Sequence, residues 1–317
     1  MKSINNKNLV IILAALIAVF VLARVFRSPK LESNLAESLV STDTATVDRL
    51  IVHPRSANGE AFEFTRKGKD WRVRHAEGGK EASADASAVQ AALGYLVKMV
   101  PQKVVTRKAE KYGQFDVGDT TTRVQVFQGK ELLAELRIGR TDFAMPSGGM
   151  QNPFGGGGMP GGSTFVRVGE DAQVYAVEGF LESAFNRSFD EWRDKALLRL
   201  RAGDVTRVRF DYPDSAFVLE KQGKNWQVDG AEADSAAVRN FLSSMEYRNG
   251  NGFVDDFQPS TPTYSISFEG EKGALVVMKA WKRETDVVVG SSANPGVMMK
   301  VNDRDALFGI KREFLKK

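Results

Sequence analysis

The chain has no cysteine and only two histidines, His53 and His75, in 317 residues. The first absence excludes disulfides, thiolate zinc sites, iron–sulfur ligation and a cysteine nucleophile. The second all but removes multi-histidine metal sites. Hydrophobic and charged residues stand at 42% and 26%, which is globular, not disordered or collagen-like. The length allows two domains of roughly 150 residues, each able to bury a core.

Positive charge is scarcer than the net +4 suggests. Residues 1–30 hold five of the 44 Lys and Arg residues (Lys2, Lys7, Arg24, Arg27, Lys30) and none of the 40 Asp and Glu. The remainder carries 39 bases against 40 acids. Such a balance offers no bulk field for nucleic acid, and no nucleic-acid partner is expected.

What is present begins with an unbroken apolar run, Leu9–Ala23. As a helix it would span roughly 22 Å, short of a ~30 Å hydrocarbon core. Val25 and Phe26 extend it, and Arg24 can snorkel to the headgroups. The rival reading is a cleaved signal peptide, but Arg24-Val25-Phe26-Arg27 stands where a small-x-small cleavage site is needed. We therefore expect a retained anchor over residues 1–30, with Leu9, Ile12, Leu16, Phe20 and Ala23 against the lipid bilayer. Flanking basic residues tie across the run, and only the short amino-terminal tail favours export of the bulk of the chain. Residues 31–46, rich in Ser, Thr, Glu and Ala, read as a spacer.

The rest reads as one unit written twice, over 47–195 and 196–317. Val47-Asp48-Arg49-Leu50-Ile51-Val52-His53-Pro54 answers to Val205–Pro213. Phe62-Glu63-Phe64 and Gly68-Lys69-Asp70-Trp71 answer to Phe217-Val218-Leu219 and Gly223-Lys224-Asn225-Trp226. Each glycine-lysine pair joins two alternating strands, a hairpin signal. A helix capped by Asp85 or Asp234 follows. Its apolar stripe is Val89, Leu93, Leu96, Val97 and Val100 in the first unit, and Val238, Phe241, Leu242 and Met245 in the second. Four more strands follow in each unit, then a short closing helix, Phe180–Phe185 or Ala306–Phe314. Grouped strands with isolated helices predict an α+β fold: an N-terminal transmembrane helix, then two tandem repeats of antiparallel sheet with one longer and one short helix each. The two tryptophans are read as core anchors, with stacking on a ligand as the alternative.

Between two strands of the first unit lies a Gly/Met-rich insertion, 143–163. It lacks the Lys-Ser/Thr that follows a phosphate-binding loop. It is either a mobile surface insertion or a partner-contact loop through Met145, Met150, Phe154 and Met159. Asp255-Asp256 and the Asp303, Asp305 pair are read as solvated turns, being too few for a calcium loop. No nucleophile, base and acid converge by spacing, so a non-enzymatic protein without metal or cofactor is expected. Phe189 to Lys195 is read as an ordered, ion-paired connection between the units.

Several of these segments carry a resemblance. The Gly68–Trp71 hairpin, Lys111-Tyr112-Gly113-Gln114-Phe115, Ile138-Gly139, Phe165–Val168 with Val174–Val177, and Trp192-Arg193-Asp194-Lys195 together resemble the bacterial domain-of-unknown-function family numbered 4340. Gln114, where that family usually has Leu, and the insertion depart from its pattern. The resemblance fits the single-pass inner-membrane protein, its bulk in the periplasm, that the apolar run and its short amino-terminal tail lead us to expect. It further implies an accessory or scaffold subunit of an ABC-type transport assembly, with permease and ATPase subunits as partners. The alternative is a module binding an envelope polymer or small ligand in the cleft between the repeats.

Overall fold

The computed structural model describes residues 35, 37–40, 43–57, 59–97, 99–144 and 161–315. Leu9, Ile12, Leu16, Phe20 and Ala23, and likewise Met145, Met150, Phe154 and Met159, lie outside the described residues. Among those described, no helix is long and apolar enough to cross a membrane.

The described chain is mostly antiparallel sheet with few helices. The first sheet comprises β1 (Arg49–His53), β2 (Phe62–Lys67), β3 (Asp70–His75), β4 (Ala82–Ser83), β5 (Pro101–Thr106), β6 (Thr122–Gln128), β7 (Glu131–Ala144), β8 (Gly161–Val168) and β9 (Val174–Glu178). Their spatial order is β4-β3-β2-β1-β6-β7-β8-β9-β5. β10 (Ala196–Arg199) pairs with β15 (Tyr247–Asn249) as a separate ribbon. The second sheet comprises β11 (Arg207–Tyr212), β12 (Ser215–Gln222), β13 (Asn225–Val228), β14 (Ala231–Glu232), β16 (Gly252–Phe253), β17 (Tyr264–Gly270), β18 (Gly273–Lys282), β19 (Val287–Ser291) and β20 (Met298–Val301). Its order is β14-β13-β12-β11-β17-β18-β19-β20-β16.

The registers correspond as well as the orders. Leu50 lies between Phe64 and Val126, and Val208 between Leu219 and Phe268. All six are buried, because period-two alternation turns every second side chain inward. A β-bulge follows Val126 in one sheet and Phe268 in the other. Both hairpin glycines, Gly68 and Gly223, have positive φ, +67° and +62°, which glycine adopts without steric cost.

Helix α1 (Ala86–Val97) begins where the Asp85 carboxylate accepts from the amides of Ser87 (2.8 Å) and Ala88 (3.1 Å). The short helices α2 (Leu181–Phe185) and α3 (Phe189–Trp192) follow the first sheet. Helix α4 (Ser235–Met245) is capped alike, Asp234 accepting from Ala236 and Ala237. All four residues of the predicted α4 stripe are buried. In α1 the stripe is Val89, Leu93 and Leu96; Val97 and Val100 are exposed, against expectation. Val97 sits one residue, about 100°, round from Leu96, and the helix stops before Val100, leaving Met99 to close the core.

Three boundaries differ from the sequence reading. Within the expected spacer, Val40 is buried in the first core, and the Leu39 amide donates to the Met99 carbonyl. The expected closing helix 306–314 is a short α5 (Asp305–Phe308) and a separate 3-10 turn, Arg312–Leu315, because the chain leaves the helix at Gly309. β7 and β8 run into the insertion, pairing Phe143 with Gly162 and Ala144 with Gly161.

Trp71 and Trp226 hold the same register, opposite Arg66 and Lys221. Trp71 is buried in the first core; Trp226 packs against the second but stays half-buried.

Candidate functional site

The connection between the sheets, which the sequence singles out, is hydrogen-bonded to both halves of the chain. Trp192, at the end of α3, is fully buried, with its ring edge-on to Phe64 at 4.8 Å. Its carbonyl accepts from the Asp85 amide, and the Asp194 amide donates to Ser83, so the segment is stitched to the edge of the first sheet. The second half grips it from the other side. The Asn294 side chain donates to the Asp194 carbonyl (2.7 Å), and the Ser291 hydroxyl to Leu197 (2.5 Å).

Arg193 fastens the two halves. Its side chain is 7% exposed. Nη1 and Nη2 donate to the two carboxylate oxygens of Asp255 at 2.7 and 2.6 Å, and Nη1 also reaches Asp190 at 3.1 Å. The guanidinium lies over the Phe253 ring at 3.6 Å. Burial works against its charge, but hydrogen bonds to Asp255 and Asp190 outweigh burial and hold it above its ordinary pKa. The same bonds hold the Asp255 carboxyl below its usual range, against burial. Burial raises Asp194, with the Ala196 amide opposing. Asp255 is the exposed turn residue expected from its sequence, but it is also paired. Its partner lies 62 positions away, and the local pattern carries no sign of it.

Beside this ion pair is a cleft of about 430 Å³, lined among others by Arg72, His75, Phe189, Arg193, Asp255 and Asn294. Its polar groups are mostly engaged within the protein. Arg72 donates to the Ser83 hydroxyl (2.7 Å). His75 packs against Phe189 at 4.3 Å between ring centres, with Nδ1 3.5 Å from Glu60. Among the described residues no group of three or more His, Cys, Asp or Glu could hold a metal ion. Asp303 accepts from the Ala306 amide and Asp305 pairs with Arg304, both local contacts.

The other motifs are explained by packing. The 3-10 turn Ala109–Phe115 crosses the outward face of the first sheet at β8 and β9, covering Phe165, Val174 and Ala176. Gly139 lies under it, where a Cβ would meet the Phe115 carbonyl oxygen at 2.0 Å. That contact sets Tyr112-Gly113-Gln114-Phe115 against Ile138-Gly139. At the base of the insertion, Phe143 is 67% exposed and tilts against Phe180, with ring centres 5.7 Å apart.

A family model described as "Domain of unknown function (DUF4340)" matches residues 75–266, more than half of the chain. The match runs from the end of β3 through the Arg193 junction into β17. No curated protein and no solved structure matches the chain.

Proposed function

The chain belongs to the DUF4340 family, and on that premise we propose that it is a non-enzymatic, membrane-anchored scaffold or accessory subunit of an ABC-type transport assembly, working from the periplasmic face of a bacterial inner membrane. We further read its body as two tandem copies of one α+β unit. Matching strand orders, bulges and helix caps support the duplication. The apolar run Leu9–Ala23 supports the anchor, and the family resemblance supports the transporter context.

The observation that carries the scaffold reading is the Arg193–Asp255 clasp. A binding cleft for a small ligand needs convergent polar groups left open to it. Here both terminal nitrogens of the central guanidinium bond to the protein's own carboxylates, which ties two halves into one body. The second reading, a small ligand or envelope polymer in the cleft, is favoured by the Phe189 and His75 rings on its wall.

Affinity capture of the full chain from crosslinked membranes, with mass spectrometry, tests the choice. Recovery of ABC permease or ATPase subunits is the expected result. Retention of glycan or a small ligand, lost with Phe189→Ala, would replace it with the second reading. Replacing 145–160 by a short Gly-Ser linker isolates the insertion: lost recovery at unchanged Tm assigns the contact to that loop.

A further inference from the structure

We propose that the outward face of the first sheet docks an acidic, extended segment of a partner protein through a row of three arginines. Arg123 on β6 is directly opposite Arg137 on β7, which is directly opposite Arg167 on β8. Like charges placed directly across strands destabilise a sheet. A sheet of the same strand order forms without such a row. The matching row of the second sheet is Ser265, Lys279 and Gly290, and that sheet forms with the same order.

Among the described residues the row is poorly neutralised. Glu135 is 3.5 Å from Arg137 and also accepts from Gln125 at 2.8 Å. Arg137 Nη1 reaches the Gly169 carbonyl at 3.4 Å. Arg123 meets His53 Nε2 at 3.0 Å and forms no ion pair. Arg167 lies over the Tyr112 ring at 4.5 Å, forms no ion pair, and has its Nε buried without a hydrogen-bond partner. Among the described residues, one carboxylate thus pairs with one of the three guanidinium groups, and the other two have none.

Charge complementarity calls for carboxylates, which the planar guanidinium fork binds in pairs of hydrogen bonds. Neighbouring strands are about 4.8 Å apart, so the row spans about 10 Å; alternate residues of an extended chain recur about every 6.8 Å. Two or three alternating acidic residues therefore match it. All three arginines are half-buried, with the Arg137 side chain 16% exposed. A chain laid on the sheet reaches such groups, whereas a planar headgroup layer favours projecting ones. The inference goes beyond the scaffold reading and does not depend on which assembly the protein joins.

The test uses the full chain in detergent and a labelled peptide of alternating Glu and Ser, followed by fluorescence anisotropy. Binding is expected to weaken about tenfold or more in an Arg123→Gln, Arg167→Gln double variant, since each charged hydrogen bond lost is worth about that. Lys279→Gln, at the matching place in the second sheet, is expected to leave it unchanged. The Tm of the double variant is expected to equal or exceed that of the parent, because repulsion is removed. If the double variant does not fold, Arg123→Ser installs the residue type the second sheet carries there, and weaker binding is still expected. No binding of the peptide, equal loss with Lys279→Gln, or equal binding to anionic phosphatidylglycerol vesicles or inorganic phosphate would overturn the proposal. So would a lowered Tm with unchanged binding, which assigns the arginines to the sheet alone.

Discussion

Along one cross-strand row the first sheet carries His53, Arg123, Arg137 and Arg167, where the second carries Asp211, Ser265, Lys279 and Gly290. On the opposite, buried side the two sheets carry Phe64, Leu50, Val126 and Leu219, Val208, Phe268. Inward positions stay apolar in both because each sheet must bury one face against a helix. Outward positions carry no such demand and differ between the sheets. A second contrast is at Gly139 and its counterpart Trp281. One admits the backbone of Phe115, while the other fills that space with an indole whose Nε1 donates to the Ser260 carbonyl. The shared features therefore explain the fold, and the differing ones are where a role distinct to each half has to be sought.

The largest expected effect separates the paired tryptophans. Trp71→Ala is expected to cost about 3–5 kcal/mol, as for a buried aromatic, and Trp226→Ala about half of that because its ring is half-buried. Equal losses in urea titrations would show that the two positions are energetically alike. Next is the clasp. Asp255→Ala leaves the buried Arg193 guanidinium with Asp190 alone and is expected to cost about 1.5–3 kcal/mol. Scanning calorimetry should then show the halves melting separately where the parent melts together.

Gly139→Ala places a methyl against the Phe115 carbonyl, and about 1–3 kcal/mol is expected from overpacking. Trp281→Phe at the matching place should cost less, since it removes one hydrogen bond and the pyrrole ring of the indole but forces no clash with backbone. The smallest effect is electrostatic. Burial, then the Arg123 charge, lowers the His53 pKa, with Glu135 opposing. A histidine lowered in the folded state binds fewer protons than the unfolded chain, so stability falls as pH drops below about 6.5 toward the folded value. Urea midpoints at pH 7.5 and 5.5 should converge in His53→Gln. An unchanged difference would place the pH dependence elsewhere.

Much of the local structure was legible because its causes are local. Asp85 and Asp234 cap helices by reaching amides two and three residues on, and Gly68 and Gly223 turn hairpins within two residues. The order of the connection at Phe189–Lys195 was legible too, from aromatic and charged residues crowded together. Its meaning was not, because Arg193 meets Asp255 across 62 positions. The arginine row was hidden for the same reason. Arg123, Arg137 and Arg167 each look like an ordinary outward residue of an alternating strand, and only the register sets them side by side. The end of the α1 stripe was misplaced because Val97 lies about 100° round from Leu96 and because the helix ends before Val100, which helical spacing alone would keep on the stripe.

Site-specific photocrosslinking from the two outward faces bears most directly on the claim that the halves share a fold and differ in role. A crosslinkable residue replaces Gln125, beside the arginine row, or Ser267, at the matching place in the second sheet. In membranes, position 125 is expected to capture a partner through a segment rich in Asp or Glu, and position 267 is expected not to. Equal capture from both positions, or capture from 267 alone, would contradict the account.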